Sequence, residues 1–483
     1  MRTGAGLLLV LAAHCAASVG QTPAPRNVLF ILSDDQRADT IGAWGNPHID
    51  TPNLDRLAER GFGFRRNYCM GSLHGAVCAP SRAMMMTGQA YFRIPMDLEG
   101  ATTFPERFRA AGYETFITGK WHNEAGALKR AFGRGTAIMM GGMANHEKVP
   151  LVDLSGEGGL VNARTGDKFS CELFADAAVE FLGAQPAGAP FFAYVALTTP
   201  HDPRMAPKAY LEKGYARRPP LPANFMAQHP FDNGRLITRD ENLAAWPRTE
   251  DVVRDQLAEY YALIGFMDAQ IGRILDALAQ SPHAEDTLIV FASDHGLALG
   301  SHGLLGKQNL YEHSMRAPLI FAGPGVPHGE SRALTYLLDI LPTAFDALGL
   351  APAAGIDGQS LAPIWRGETA KARNSIFLAY EDSQRALVED RWKLIVYPKI
   401  GHMQLFDIEA DPDELRNLAD DPDQRRERVP RMTAALLERS AHFGAVSRMP
   451  ASWSPPKLVD LTNTPRKPDE WQPDWIVEKY FGK

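Results

Sequence analysis

The chain has 483 residues, of which 45% are hydrophobic and 22% charged, and its formal net charge is −7. These values exclude an intrinsically disordered protein and disfavour a nucleic-acid-binding protein, which carries basic patches. Four cysteines in so long a chain exclude a small disulfide-held domain. The length allows about three domains, or one large α/β domain with a smaller second one.

The first 21 residues have the layout of a secretory signal peptide. Arg2 gives a positive start, the apolar run 7–13 is too short to span a membrane, and small residues follow over 16–20. The alternative, an N-terminal membrane anchor, needs a longer run. We therefore expect a secreted or periplasmic protein without a membrane span in its mature form. The chain has no Asn-x-Ser/Thr sequon, which favours a bacterial source.

Strands and helices alternate through the first three quarters of the chain. A buried strand is predicted over 27–33, and Thr51-Pro52 predicts the start of a helix that runs to Arg60, with Thr51 as its N-cap. The elements that follow are a helix over 104–111, a strand over 114–118, a helix over 172–182, a strand over 190–197, a helix over 252–280, and strands over 287–293 and 318–322. This order predicts an α/β fold with a large, mostly parallel sheet flanked by helices.

Polar side chains follow three of the four long apolar strands. Asp34 and Asp35 come after the first, His201 after the strand 190–197, and Asp294 and His295 after the strand 287–293. In open α/β sheets, ligands bind outside the carboxyl ends of the strands. The sequence therefore predicts a site at this edge, and the long loop predicted over 214–247 is expected to shape its mouth.

After about residue 365 the pattern changes to short strands, predicted over 375–380, 385–388 and 392–397. A turn-rich acidic segment over 405–418, a helix near 425–440 and a tail rich in Pro and Trp follow. We expect residues 22–365 to form the catalytic domain. Residues 366–483 are expected to form a smaller C-terminal α+β domain with an antiparallel sheet and an extended tail.

The sharpest motif is C-x-P-S-R-x-x-x-x-T-G, which runs from Cys78 through Arg82 to Gly88. With it, the chain resembles the formylglycine-dependent sulfatases of the alkaline phosphatase-like superfamily. The resemblance implies that Cys78 is oxidised to formylglycine by a formylglycine-generating enzyme or an anaerobic sulfatase-maturating enzyme. One hydroxyl of the hydrated aldehyde attacks sulfur, and the other then collapses to the aldehyde and expels sulfate. This fate also accounts for an odd number of mature cysteines, and pairing of Cys69 with Cys171 stays open.

The resemblance further implies one divalent metal ion. Its ligands are Asp34, Asp35, Asp294 and His295, with an oxygen at residue 78 or the bound sulfate completing the shell. Oxygen-rich ligation suits Ca²⁺. Many family members have Asn at the position of His295, and the imidazole leaves room for another metal.

Five more catalytic positions follow the family pattern. Arg82 is expected to stabilise the hydrate and Lys120, in Gly-Lys-Trp-His, to hold a sulfate oxygen. His122, in the same segment, is expected to take the proton of the hydrate when sulfate leaves. His201 is expected to contact sulfate or protonate the leaving oxygen, and Lys307 to bind the ester side of the sulfate. Together these cations suit a tetrahedral anion.

Further residues lie near the motifs but do not belong to this catalytic set. His74, His302 and His313 are candidates for substrate contact, whereas Glu312 and Arg316 are expected to support the Lys307 loop. The segment 405–418 also resembles the C-terminal stretch of many sulfatases, so the resemblance spans residues 27–418.

The sequence thus predicts an exported sulfatase that hydrolyses a sulfated saccharide to an alcohol and inorganic sulfate. One alternative is a phosphomonoester or phosphonate monoester hydrolase on the same fold. A second is a non-catalytic glycan-binding relative, in which Cys78 stays a thiol.

Overall fold

The computed structural model describes residues 26–447, 449–450 and 452–482. The predicted signal peptide lies outside these residues. The described strands are β1 Asn27–Ser33, β2 Phe62–Phe64, β3 Asn67–Tyr68, β4 Gly71–Ser72, β5 Glu114–Lys120, β6 Arg134–Met139, β7 Pro150–Leu154, β8 Leu160–Thr165, β9 Phe191–Ala196, β10 Thr287–Ser293, β11 Leu319–Ala322, β12 Gly329–Ser331, β13 Thr335–Tyr336, β14 Ser375–Tyr380, β15 Gln384–Glu389, β16 Trp392–Tyr397 and β17 His402–Asp407.

The helices complete the chain order. They are α1 Pro52–Arg60, α2 Cys78–Thr87, α3 Phe104–Ala110, α4 Ala125–Ala131, α5 Ser170–Ala184, α6 Lys208–Arg217, α7 Glu250–Gln280, α8 Glu312–Met315, α9 Ile340–Ala347, α10 Ala362–Trp365, α11 Val429–His442 and α12 Asp474–Phe481. Among the described residues, none of these helices is both long and apolar enough to cross a bilayer.

A ten-stranded sheet forms the centre of the large domain, in the order β12-β2-β11-β10-β1-β9-β5-β6-β7-β8. Its middle strands, β10, β1, β9, β5 and β6, are parallel, which confirms the predicted core of the sheet. The strand β11, predicted over 318–322, runs antiparallel to β10, so the sheet as a whole is mixed. All seven residues of β1 are buried because apolar clusters cover both faces of the sheet.

A five-stranded sheet lies in the C-terminal part, in the order β17-β16-β15-β14-β4. The strands β14 to β17 are antiparallel neighbours, as the predicted α+β architecture requires. Its edge strand β4 comes from residues 71–72 and pairs in parallel with β14. The segment just before Cys78 is therefore hydrogen-bonded to the second sheet, which anchors the start of α2.

Several predicted boundaries differ from the structure. The strand β17 includes residues 405–407 of the segment that was predicted to be turn-rich, and α6 extends to Arg217, inside the predicted loop 214–247. The strands β6 to β8 were not predicted, because β8 is mostly exposed and the pairing contains register shifts that break the alternating pattern.

The helix α1 has the predicted bounds but not the expected cap. The Thr51 hydroxyl donates to Asp55 instead of accepting from the first turn. The N–H groups of Asn53 and Leu54 donate to the carboxylate of Asp268 on α7, at 3.0 and 2.8 Å. A tertiary contact therefore supplies the cap that the local sequence was expected to provide.

Candidate active site

The register of the central strands brings the predicted acids together. Ser33 pairs with Ser293, so the residues that follow β1 and β10 leave the sheet side by side. The Asp34 N–H donates to the Thr199 carbonyl oxygen at 3.0 Å. The Asp35 N–H donates to Asp294 Oδ1 at 3.0 Å from a left-handed backbone, with φ of 67°. Asp34, Asp35 and Asp294, the carboxylate cluster, are all buried.

Cys78 is the first residue of α2 and points into the same place. Its Sγ lies 3.2 Å from His295 Nε2 and 3.7 Å from Asp35 Oδ1, and the residue is buried. One ligand atom each of Asp34, Cys78, Asp294 and His295 lies within 4.8 Å of the others. The structure therefore brings together residues separated by more than 200 positions in the sequence.

Three buried cations, the cation set, surround the carboxylate cluster. Lys120, at the end of β5, places Nζ 2.5 Å from Asp34 Oδ2, and Lys307 places Nζ 2.8 Å from Asp35 Oδ2. Arg82, one turn after Cys78 on α2, has Nη2 at 3.5 Å from Asp34 Oδ1. Three buried positive side chains thus face three buried carboxylates.

The two predicted histidines, His201 and His122, have different surroundings. His201 Nε2 is 2.9 Å from Lys307 Nζ, and its Nδ1 is 2.8 Å from the backbone oxygen of Asp202. His122 adopts a left-handed backbone with φ of 59°, and its Nδ1 is buried without a hydrogen-bond partner. A Cβ built on Gly142 would lie 2.4 Å from His122 Nε2, so a glycine is needed opposite the ring.

Burial and the nearby charges set the protonation states. Burial raises the pKa of Asp35 to about 6, although Lys307 and His295 favour its ionised form. Burial and the neighbouring Asp294 oppose ionisation of Asp34, yet Lys120 and Arg82 outweigh them and lower its pKa. Burial, followed by the charge of Lys120, brings the pKa of His122 well below its usual value. His122 is therefore a neutral imidazole, and burial and the charge of Lys120 both oppose its protonation.

A cleft of about 240 Å³ opens over Cys78. His122, His201 and Lys307 line it together with residues that the sequence did not single out, namely Gly75, Ala76, Gly142, Met143, Arg239, Asp240 and Gln308. Arg239 and Asp240 belong to the segment 214–247 that was expected to shape the mouth. They lie in no recognisable motif, so sequence could place only their loop there.

The remaining candidates stand apart from the chemistry. His302 stacks on Tyr311 with ring centroids 3.9 Å apart, His313 lies beside it, and neither ring lines the cleft. His74 is exposed next to the rim residues Gly75 and Ala76. The thiols of Cys69, Cys78 and Cys171 are all free and buried, so Cys69 and Cys171 do not pair.

Glu312 joins the two sheets instead of supporting Lys307 directly. Its Oε1 accepts from Lys393 Nζ of β16 at 3.0 Å, and Lys393 also lies 2.9 Å from Glu414 Oε1. Arg316 contacts the other oxygen of Glu312 at 3.5 Å.

The mixed sheet, with its buried charged cluster at the ends of the central strands, has the alkaline phosphatase-like fold. The sequence model of the sulfatase family matches residues 26–350, and that of the C-terminal region of N-sulphoglucosamine sulphohydrolase matches residues 300–441. The chain belongs to the sulfatase family, and it is a sulfuric ester hydrolase.

Individual relatives support this assignment. A choline-sulfatase of Rhizobium meliloti is 30% identical, with 86% of each chain covered. An N-acetylglucosamine-6-O-sulfatase of Bacteroides thetaiotaomicron is 27% identical and covers 85% of this chain and 86% of its own.

Solved structures share the fold. A protein in complex with its substrate D-glucosamine-2-N,6-O-disulfate has a TM-score of 0.72 at 22% identity, covering 87% of this chain and 98% of the other. A phosphonate monoester hydrolase of Silicibacter pomeroyi has a TM-score of 0.66 at 25% identity, covering 86% and 95%.

Proposed function

We propose that this sulfatase is exported and hydrolyses a sulfated carbohydrate with formylglycine at residue 78. The observation that carries the proposal is the position of Cys78, the first residue of α2, with Sγ against both His295 and the carboxylate cluster. A hydrated aldehyde there would serve as a nucleophile that can also release sulfate, which a thiol cannot do.

The donors around Cys78 fit a divalent cation. Asp34 Oδ1 is buried and accepts no hydrogen bond, and one carboxylate oxygen of Asp34 belongs to the group of ligand atoms that lie within 4.8 Å of one another. Asp34, Asp35, Asp294 and His295 would hold the ion. The carboxylate oxygens favour Ca²⁺, and the nitrogen of His295 is compatible with a softer metal. When bound, the cation polarises a sulfate oxygen and makes a neighbouring hydroxyl more acidic.

Charge balance supports an anionic substrate. The carboxylate cluster and the cation set cancel at three charges each, so a divalent cation makes the site positive. A positive site at the bottom of a cleft attracts an ester that carries a negative charge at the reacting group.

The chain's own residues divide the remaining tasks. Lys120 pairs with Asp34, whereas Lys307 pairs with Asp35. The two lysines would therefore hold different oxygens of the sulfate group. Arg82 would stabilise the nucleophile from the same helix. Neutral His122 would take the proton of residue 78 when sulfate leaves, and His201, beside Lys307 on the cleft side, would protonate the departing oxygen.

The composition of the cleft supports a carbohydrate substrate. Arg239, Asp240 and Gln308 offer charged and amide groups at the mouth, which suit sugar hydroxyls. The names of the N-acetylglucosamine-6-O-sulfatase and of the disulfate-bound structure point the same way, whereas the name of the choline-sulfatase points to a substrate that is not a carbohydrate. The likeness to a phosphonate monoester hydrolase keeps that activity as a second candidate.

The proposal requires a maturation enzyme and export. We expect residues 1–21 to direct the chain to the periplasm or the exterior, and a formylglycine-generating or anaerobic sulfatase-maturating enzyme to act on the Cys78 motif. A non-catalytic glycan-binding role would require that Cys78 stay a thiol in the host.

The test combines mass spectrometry with matched esters. The chain is produced with a formylglycine-generating enzyme, and tryptic masses report the state of residue 78. Release of 4-nitrophenol is compared for 4-nitrophenyl sulfate and 4-nitrophenyl phosphate, and sulfate release is then screened over defined sulfated saccharides. Cys78→Ala should remove activity and Cys171→Ala should keep it. Faster phosphate release, or an active Cys78→Ala variant, would overturn the proposal.

A further inference from the structure

Residues 457–482, here called the strap, lie against the large domain and contact Arg239, one of the residues that line the cleft. The Val459 N–H donates to the Pro230 carbonyl at 3.1 Å, and Gln228 Nε2 donates to the Val459 carbonyl at 2.7 Å. Near the other end, Lys479 Nζ lies 3.0 Å from the buried Glu259 Oε1 on α7. Both ends of the strap are therefore tied to the large domain.

The middle of the strap reaches residues that adjoin the site. Arg239 Nε donates to Asp469 Oδ2 at 2.9 Å, and Gln472 Nε2 donates to Asp202 Oδ2 at 3.0 Å. Arg239 also donates to Asp202 Oδ1 at 2.6 Å, which closes the network. Gln472 and Asp202 are both more than nine-tenths buried, so water competes little for these bonds.

Asp202 in turn determines how the ring of His201 lies. Its backbone oxygen is 2.8 Å from His201 Nδ1 and its Oδ1 is 3.4 Å away. With Nδ1 donating to Asp202, Nε2 faces Lys307 Nζ at 2.9 Å, and it can pass a proton from the Lys307 ammonium to the departing oxygen as the S–O bond breaks. A shift of Asp202 would therefore turn the imidazole away from the leaving group.

We propose that Asp469 and Gln472 are positioning residues, which hold Arg239 and Asp202 so that His201 is aimed at the departing oxygen. This inference rests on the proposed function, in which His201 protonates that oxygen. Protonation matters most when the leaving alcohol is weakly acidic and least when it is already a good leaving group. The loss of activity on removing the strap contacts should therefore depend on the leaving group. A general loss of folding would lower the activity equally for all esters.

The experiment compares two esters in the full-length, formylglycine-containing protein. Asp469→Ala and Gln472→Ala should lower kcat/KM roughly tenfold for phenyl sulfate, as loss of an outer-shell partner does elsewhere. For 4-nitrophenyl sulfate, the change should be much smaller. Glu470→Ala, an exposed neighbour on the strap, is the matched control and should change neither substrate.

The outcomes separate the two proposals. Asp469→Glu, which keeps the carboxylate, should recover most of the lost activity toward phenyl sulfate. Equal losses for both esters, or variants that match Glu470→Ala, would overturn the positioning role while leaving the proposed function intact. If the formylglycine-containing protein without any substitution releases sulfate from neither ester, the proposed function is overturned instead.

Discussion

Gly142→Ala tests whether His122 must occupy its observed position. The added Cβ would lie 2.4 Å from Nε2 and 2.7 Å from Cε1 of the ring. Normal contact requires the ring to move by roughly 1 Å, a misplacement that can cost about 100-fold in rate. The ring is the far end of a side chain, so it can move without disturbing the backbone, and the fold should keep its stability.

The assay is kcat for 4-nitrophenyl sulfate together with the melting temperature. Gly141→Ala is the matched control, because a Cβ there would meet its nearest atom, Met139 Cε, only at 3.8 Å. We expect Gly141→Ala to keep its activity and Gly142→Ala to lose about 100-fold in kcat, with similar melting temperatures. If both variants are equally active, His122 does not take the proton from residue 78; if Gly142→Ala melts early, the effect is one of folding.

Three further predictions concern the cation and the buried charges. Dialysis against EDTA should abolish sulfate release and lower the melting temperature, and Ca²⁺ at about 100 times its Kd should restore about 2.7 kcal/mol of stability; an unchanged melting temperature would contradict the cation site. Lys393→Met should cost about 3–5 kcal/mol in urea unfolding, because it leaves Glu414 buried without a cation and leaves Glu312 with Arg316 alone. Lys399 forms an exposed ion pair with Asp382, so Lys399→Met should lower the free energy of unfolding by less than about 1 kcal/mol. Equal losses for Lys393→Met and Lys399→Met would refute the reasoning. Burial raises the pKa of Asp268 from 3.8 to about 6, so between these pH values the folded state binds a proton that the unfolded state has lost. The free energy of unfolding should therefore fall as the pH rises from 3.8 to about 6, by about 3 kcal/mol at most. Urea midpoints should lose this slope in Asp268→Asn, and an identical slope would exclude Asp268 as its source.

The central strands and the motif residues were accessible to sequence reasoning because their signals are local. A fully apolar run such as β1 shows burial on both faces, and the polar residues after it mark the edge where ligands bind. The spacing from Cys78 to Arg82 is one helical turn, so their common direction also follows from sequence.

Other features depend on contacts between distant segments. The pairing of β4 with β14, the cap that Asp268 gives to α1, and the placement of Gly142 against His122 leave no local pattern. Predictions that relied on neighbouring residues, such as the Thr51 cap, failed where a tertiary partner was available.

The sequence by itself determined the family and the enzyme class of this protein, because the Cys78 motif and the strand-end acids require only local order and the register of a parallel sheet. Only the tertiary structure decided what surrounds that chemistry. Arg239 and Asp240 reach the cleft through a loop, the strap contacts Arg239 from outside, and loop conformation follows from packing against the whole molecule rather than from residue type.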